Sequence, residues 1–263
     1  MSGEAKPVAV AVPAATILIL RDSADGMEVF MVKRHHQIDF VAGALVFPGG
    51  KASKGDFDAG LADFTDCAKD WTDEMRALGA CAIREAFEES GILFARDASG
   101  AYVGSERLES LAHYRHALEK NEIALLDMLR AEKLKLACDA LVHFAHWVTP
   151  SNMPKRFDTH FFVASVPEGH AGSHDGRESV DSVWIRPEDA IADRKRWNVI
   201  FPTKLNLMKL AKSHNAADAL AAAAVAPPLT VEPWVENGPN GQVLRIREDA
   251  GYEQTSANMR DAM

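Results

Sequence analysis

The chain of 263 residues has 29 basic and 38 acidic side chains, a formal net charge of −9, and 47% hydrophobic residues. This length suits one large domain, or one domain with embellishments. The acidic balance argues against general nucleic-acid binding, which needs a basic face, so an anionic substrate would require a cation or a local basic patch. No apolar run approaches the roughly 20 residues of a membrane helix, so we expect no membrane partner.

The N-terminal sequence and the cysteines indicate a compartment. The first 20 residues lack a basic segment followed by a cleavable apolar stretch, which predicts no secretory signal. The chain has three cysteines, which is an odd number, and their spacing is not that of a metal site. They are Cys67, Cys81 and Cys138. Both features predict a protein of the reducing cytoplasm.

The first half of the chain predicts strands followed by helices. In chain order the predicted elements are strands at 15–21, 28–34 and 43–50, an acidic, turn-rich insertion outside the core at about 51–76, a helix at about 77–91, and a helical insertion at about 105–135. Gly91 is placed to end the first helix as a left-handed cap. The helical insertion is expected to form two helices that break near Asn121.

The second half predicts further strands and two more helices. These elements are strands at 140–150, 156–166 and 179–185, a helix opening at Pro187, a helix at about 202–213, and a hairpin around Pro239 and Gly241. The order predicts a mixed sheet sandwiched between helices, in the α/β or α+β class. We expect one domain over 1–214, and a C-terminal extension over 215–263 that packs on the domain or trails it.

A carboxylate cluster marks the helix at 77–91. The stretch IREAFEESGI (83–92) places Glu85, Glu88 and Glu89 on one helix face. Like charges at this spacing cost about 0.2–0.5 kcal/mol per pair even when they are exposed. Hard cations bind carboxylates together with substrate phosphates, and they polarise phosphoryl oxygens. With the glycine-rich turn FPGG (47–50), the cluster predicts an Mg²⁺ or Mn²⁺ site for phosphate chemistry, and a solvated helix face is the alternative.

The stretch REAFEESGI (84–92) resembles the second half of the Nudix box, R-E-U-x-E-E-x-G-U, where U is an apolar residue. The first half, G-x5-E, is altered: Asp56 stands six positions after Gly50 where the family has glutamate, and a long insertion separates it from Arg84. This interrupted box, with KRHHQIDFVAGALVFPGG before it and TPSNMPKRFDTHFFVA after it, resembles the subgroup of Nudix hydrolases that contains peroxisomal coenzyme A diphosphatases. The resemblance covers roughly 14–214 and implies the Nudix α/β/α sandwich with a mixed sheet and helical insertions.

The resemblance implies roles for the acidic cluster. Glu85, Glu88 and Glu89 match the family's metal ligands, and one of them would serve as the base. Arg84 matches the arginine that orients these glutamates by salt bridges. Glu178 lies where many Nudix enzymes have an additional metal-binding or basic glutamate, although an ordinary loop acid is the alternative.

Two glycines and an aspartate complete the implied metal site. Gly49 and Gly50 match the turn that brings the backbone to the metal, which makes Gly49 a further metal-site residue. Asp56 is the match to the first glutamate of the box, and because the insertion makes the alignment arbitrary, Asp58 or Glu74 are alternatives.

The segment ahead of the box resembles the coenzyme A signature of this subgroup. Arg34, Gly43 and the turn at 47–50 fall at its spacings, whereas Asp39 replaces its second arginine. That replacement would weaken a phosphate contact, although Lys33, His35 and His36 offer positive charge nearby. The implied substrate-binding residues are Arg34, Gly43, Phe47, Gly49, Gly50 and Arg156.

Arg156 begins a strand together with Asp158, and the pair either lines the cleft or forms a buried ion pair that supports the sheet. His170, His174 and Asp175 share one loop, and they either titrate near neutrality or form a solvated loop.

The stretch HFAH (143–146), together with Cys138, suggests a zinc site. On a regular strand, however, positions i and i+3 face opposite sides. The spacing of His143 and His146 therefore predicts no metal site.

We interpret the chain as an Mg²⁺- or Mn²⁺-dependent Nudix pyrophosphohydrolase that acts on a nucleoside diphosphate derivative. Coenzyme A or acyl-coenzyme A, cleaved to 3′,5′-ADP and phosphopantetheine, is the leading substrate. The alternatives are an ADP-ribose or dinucleotide pyrophosphatase, and a Nudix module that senses a nucleotide without turnover. The insertion at 105–135 is a lid, a dimer surface or plain core cover, and a homodimer is what Nudix relatives imply.

Overall fold

The computed structural model describes residues 8–34, 43–173, 179–239 and 241–262. The helices are α1 (Asp73–Ser90), α2 (Ser105–Glu119), α3 (Leu125–Glu132), α4 (Pro187–Ala192), α5 (Phe201–Leu210), α6 (Ala216–Ala224) and α7 (Met259–Ala262). The strands are β1 (Ala11–Ser23), β2 (Gly26–Arg34), β3 (Leu45–Val46), β4 (Gly49–Lys51), β5 (Ala95–Arg96), β6 (Lys135–Leu136), β7 (Val142–Val148), β8 (Arg156–Ser165), β9 (Ser179–Ile185), β10 (Thr230–Val231), β11 (Trp234–Gly238), β12 (Gly241–Arg245) and β13 (Ser256–Asn258).

The long strand β1 organises the main sheet, whose order is β10-β7-β8-β1-β2-β3. On one side β1 pairs in parallel with β8. On the other side it pairs antiparallel with β4 along its first half and with β2 along its second half. Strand β9 pairs with β2. The sheet is therefore mixed, as the order of elements predicted.

Helices cover both faces of this sheet, which makes the fold an α/β/α sandwich. Successive residues of β1 point into different cores: Ile17 and Ile19 pack with α1, whereas Leu18 and Leu20 pack on the opposite side with residues of α5 and α6. A strand buried on both faces reads as a continuous apolar run, which explains the segment ATILIL. The sheet face covered by α1 is called the α1 face below.

Helix α1 begins four residues earlier than predicted. The Thr72 side chain accepts a hydrogen bond from the Met75 N–H, and Thr72 therefore caps the helix at Asp73. The insertion before it contains two short 3-10 helices, Lys54–Phe57 and Ala59–Phe64. The expectation that this insertion lies outside the core is wrong in part, because its Asp56 and Leu61 are buried.

The helical insertion at 105–135 forms two helices, as predicted, and the chain turns between them at Asn121 with φ 54°. Its buried residues join the core on the α1 face, and they are Leu111, Leu118, Leu125, Leu126, Met128, Leu129 and Leu134. A lid, a dimer surface and a plain cover for the core were the alternatives for this insertion. Its packing agrees with a cover for the core.

The C-terminal extension packs on the domain. Strand β10 adds to the main sheet beside β7, and the predicted hairpin is present as β11 and β12. The Trp147 Nε1–H donates to the Tyr252 hydroxyl, which in turn donates to Asn206 Oδ1. Strand β13, which was not predicted, pairs with β12. Among the helices that the structure describes, none combines the length and the apolar composition of a membrane-spanning segment.

Candidate functional site

The acidic cluster lies at the buried C-terminal end of helix α1. Glu88 and Glu89 are buried, and the Glu85 side chain is 12% exposed. Gly91 follows the cluster with φ 71°, and its N–H donates to the Phe87 carbonyl. Because this left-handed conformation suits glycine, the helix ends directly after the carboxylates, as predicted.

Arg84 lies at the centre of the cluster. Its Nε and one terminal nitrogen donate to the two oxygens of Asp56, both at 2.9 Å. The other terminal nitrogen donates to Glu85 at 2.8 Å and to Glu88 at 3.1 Å. A further hydrogen bond reaches the Lys51 carbonyl at 3.0 Å. One guanidinium thus holds two glutamates of the helix, the acidic insertion and β4 in a fixed relation.

The structure distinguishes between the three candidates for the first acid of the cluster. Asp56 is buried and pairs with Arg84. Asp58 instead accepts from the Gly60 N–H and caps a 3-10 helix, and Glu74 is exposed in the first turn of α1. The alignment of Asp56 with the first half of the box, which the insertion had made uncertain, therefore agrees with the geometry.

The glycine turn at β4 lies directly against the helix. The Gly49 N–H donates to Glu89 Oε2 at 3.1 Å. A Cβ atom at Gly49 would lie 2.6 Å from the Ala15 carbonyl oxygen, and one at Gly50 would lie 2.6 Å from the Glu85 carboxylate. Only glycines let the backbone approach the carboxylates this closely.

Gly49→Ala is expected to lower the free energy of unfolding by about 1–3 kcal/mol, because the added methyl group meets fixed backbone of β1. Urea denaturation of the variant and of the parent protein measures this change. Gly55→Ala is the matched control, since a Cβ there meets nothing closer than 3.6 Å. Equal losses in the two variants would contradict the close approach at Gly49.

The charges of the cluster are unbalanced. Burial raises the pKa of Glu88 to about 8, with Glu85 adding to the rise and Arg84 opposing it. Burial also opposes the charge of Arg84, but Glu85 and Asp56 more than offset this and raise its pKa. A single guanidinium therefore faces several carboxylates, whose oxygens are the donors that Mg²⁺ and Mn²⁺ accept. Such a donor set fits a divalent cation.

Comparison with known proteins agrees with this geometry. A family model described as the NUDT19 Nudix domain matches residues 68–206, which is more than half of the chain. The chain belongs to this Nudix hydrolase family. A crystal structure of a NUDIX hydrolase from Alicyclobacillus acidocaldarius is 28% identical and superimposes with a TM-score of 0.72, covering 85% of this chain and 100% of that one. The predicted Nudix fold is confirmed.

Two similar curated proteins carry the name acyl-coenzyme A diphosphatase NUDT19. The Xenopus laevis protein is 26% identical over 222 residues, covering 69% of this chain and 58% of its own length. The Homo sapiens protein is 27% identical over 207 residues, with coverages of 64% and 55%. The chain thus spans a little over half the length of these relatives.

The residues expected to bind substrate differ in their surroundings. Phe47 is buried in the core opposite the α1 face, so the expectation that it contacts substrate disagrees with its packing. Gly43 has φ 72°, which explains the glycine there. The side chain of Arg34 and all of Glu178 lie outside the described residues, as do His35, His36 and Asp39.

Arg156 supports the sheet. Its three guanidinium nitrogens donate to the carbonyls of Thr149 and Ala9 and to the carboxylate of Glu232, at 2.8–2.9 Å. Arg156 thus supports the sheet through an ion pair, but the acid is Glu232 rather than Asp158, and its side chain is 44% exposed, so the expected burial of the pair is wrong.

The loop before β9 is not uniformly solvated. His170 is buried, and its Nε2 lies 2.7 Å from the Val103 carbonyl oxygen. Burial lowers its pKa, so the reading of a solvated loop is wrong at His170. His174 and Asp175 lie outside the described residues.

Arg115 of helix α2 was missed by the sequence analysis. It donates to the Glu88 carbonyl at 3.1 Å and to the Ser173 carbonyl at 3.1 Å. The helical insertion thereby fastens the end of α1 to the loop before β9. Main-chain oxygens of distant segments leave no signal in the sequence, so no motif could have found this arginine.

The expectation that His143 and His146 face opposite sides of their strand is wrong. The register of β7 against β8 shifts between His143 and Ala145, and the two imidazole rings lie 6.4 Å apart on one side. A β-bulge of this kind inserts one residue and reverses the alternation of side chains. Cys138 is not part of this group, since its thiol is buried beside Cys67.

Proposed function

We propose that the chain is a divalent-metal-dependent pyrophosphohydrolase that cleaves the diphosphate of a nucleoside diphosphate derivative, with coenzyme A or acyl-coenzyme A as its substrate. The observation that carries this proposal is the cluster around Arg84, in which Glu85, Glu88 and Glu89 gather against the glycine turn. Membership of the NUDT19 Nudix family supports the substrate class, because the named relatives are acyl-coenzyme A diphosphatases.

Glu85, Glu88 and Glu89 would hold Mg²⁺ or Mn²⁺, together with backbone at Gly49. When bound, the cation polarises a phosphoryl oxygen and lowers the pKa of a water molecule. Arg84 keeps the Glu85 and Glu88 carboxylates in position through its hydrogen bonds. The Gly49 N–H fixes the Glu89 carboxylate, so the donors are oriented before substrate arrives.

In the proposed reaction, water attacks one phosphorus of the diphosphate in line with the bridging oxygen. A new P–O bond forms, the bond to the bridging oxygen breaks, and one of the three glutamates accepts the proton of the water. With coenzyme A the products are 3′,5′-ADP and phosphopantetheine. Arg34 and Gly43 are proposed to contact the nucleotide, and Glu178 is proposed as a further acid of the site.

The assembly and compartment are also proposals. We propose a homodimer, as family membership implies, working in the cytoplasm on a small-molecule substrate. The three cysteines, all free thiols, support a reducing compartment.

Purified protein incubated with Mg²⁺ or Mn²⁺ and a panel of diphosphates tests the proposal, with products identified by mass spectrometry. The panel holds coenzyme A, an acyl-coenzyme A, ADP-ribose and NADH, and a parallel set contains a chelator. We expect 3′,5′-ADP from the coenzyme A species and none in the chelated set. AMP from ADP-ribose or NADH alone would overturn the substrate class but keep the chemistry. Nucleotide binding without turnover would overturn both and indicate a sensing module.

A further inference from the structure

Four polar side chains meet on the α1 face of the sheet. They are His143 and His146 of β7, and Asp158 and His160 of β8. Opposite β8, the register passes from His143 with Phe162 to Ala145 with Phe161, so Phe144 is the extra residue of the bulge. The bulge brings His143 and His146 onto the same side as His160. The ring centroid of His160 lies 4.0 Å from that of His146 and 5.0 Å from that of His143.

Within this group, three potential ligand atoms converge. His146 Nε2 lies 2.5 Å from Asp158 Oδ1, and His160 Nε2 lies 3.8 Å from the same oxygen. Ligand atoms of the three residues all lie within 4.8 Å of one another. We propose that His146, Asp158 and His160 form a second cation site, distinct from the glutamate cluster, that takes a transition-metal ion such as Zn²⁺.

The opposite nitrogens of the two imidazoles have partners of their own. His146 Nδ1 lies 2.8 Å from the Thr230 hydroxyl, and His160 Nδ1 lies 3.1 Å from His143 Nε2. Histidines that bind metals characteristically use their other ring nitrogen in a hydrogen bond, which sets the tautomer and the ring orientation. With Nδ1 engaged, Nε2 of both histidines is directed to the carboxylate. On binding, the ion takes the place of the proton between His146 Nε2 and Asp158, and that proton passes through solvent to His146 Nδ1, which then donates to the Thr230 hydroxyl.

Access from solvent also favours an ion here. The Asp158 side chain is 40% exposed, which gives an ion a path from solvent and lets the carboxylate rotate to admit it.

The proposed site is separate from the glutamate cluster, but strand β1 lies between the two and pairs with strands of both. Ala15 of β1 pairs with His160 of β8 on one side and with Gly50 of β4 on the other. Because neighbouring strands are about 4.8 Å apart, His160 and Gly50 are separated by about 10 Å along one row. Thr230 belongs to β10, so an ion bound here would also tie the C-terminal extension to the sheet. The inference does not rest on the proposed hydrolysis.

Titration of the full chain with Co²⁺ in an excess of Mg²⁺ tests the proposal, because Mg²⁺ occupies carboxylate sites and Co²⁺ bound to imidazole absorbs visible light. We expect one Co²⁺ per chain with visible bands, and displacement by Zn²⁺. His146→Gln and His160→Gln should each weaken Co²⁺ binding at least about 100-fold, and Thr230→Val about 10–100-fold. His214→Gln, an exposed histidine elsewhere, is the matched control and should bind as the parent does.

Circular dichroism checks that each variant is folded, and if the histidine variants unfold, Asp158→Asn and Thr230→Val carry the test. Loss of the visible bands in folded variants, with the bands intact in His214→Gln, supports the site. Absence of the visible bands in the parent protein would overturn the proposed cation site. The group would then be a hydrogen-bonded stack of histidines without a metal ion. Bands unchanged by His146→Gln and His160→Gln would also overturn it, by placing Co²⁺ at other residues.

Discussion

Glu89→Gln is expected to lower kcat by at least about 100-fold on whichever diphosphate the protein hydrolyses. The substitution removes a negative charge from the proposed cation site while its amide oxygen still accepts the Gly49 N–H. The loss therefore reports the charge rather than the position of the helix. Steady-state kinetics in saturating Mg²⁺ measures kcat, and titration calorimetry measures the accompanying loss of Mg²⁺ affinity.

Glu74→Gln provides the control for this change. Glu74 lies on the same helix, exposed in its first turn, whereas the cluster lies at the other end of the helix. Its variant should keep the kcat of the parent protein. A Glu89→Gln protein whose kcat stays within a few-fold of the parent value would contradict the proposed mechanism and favour a sensing module.

Asp56→Ala is expected to lower the free energy of unfolding by about 3–5 kcal/mol. The substitution leaves the Arg84 guanidinium buried after losing two hydrogen bonds to a carboxylate that is itself fully buried. Glu85 and Glu88 still pair with Arg84 in the variant, but each lost hydrogen bond to a charged group costs about 1.5–3 kcal/mol. Urea denaturation near pH 7 gives the change in unfolding free energy.

The control for Asp56→Ala is Asp63→Ala, an exposed position in the same insertion. We expect that control to change the unfolding free energy by no more than about 0.5 kcal/mol. The Asp56 variant should also lose activity, because Arg84 would no longer be held against Glu85 and Glu88. If the two variants were equally stable, Asp56 would not be the acid on which the cluster depends.

The sequence by itself determined the elements whose signals are local. The continuous apolar run of β1 is typical of a strand buried on both faces, and the glutamate spacing with Gly91 predicted both the helix and its end. These features depend on residues within a few positions of one another, so the chain expresses them without distant contacts. The fold class followed from the order of these elements, and the family from the resemblance of residues 84–92 to the Nudix box.

Only the tertiary structure decided which distant groups meet. It brought Asp56 rather than Asp58 to Arg84, and it buried Phe47 on the sheet face opposite the cluster. It also engaged Arg115 with main-chain oxygens far along the chain. In each case the contact depends on how distant segments pack together. Spacing along the chain therefore could not predict it.

The histidines show the physical reason most clearly. Alternation along a regular strand separates His143 from His146, and a single extra residue in β7 places them on one face beside His160. The bulge depends on how β7 pairs with β8, and the HFAH motif alone does not encode that pairing. Local chemistry therefore determined the acidic helix of this protein, and long-range strand pairing decided where its second group of potential ligands came together.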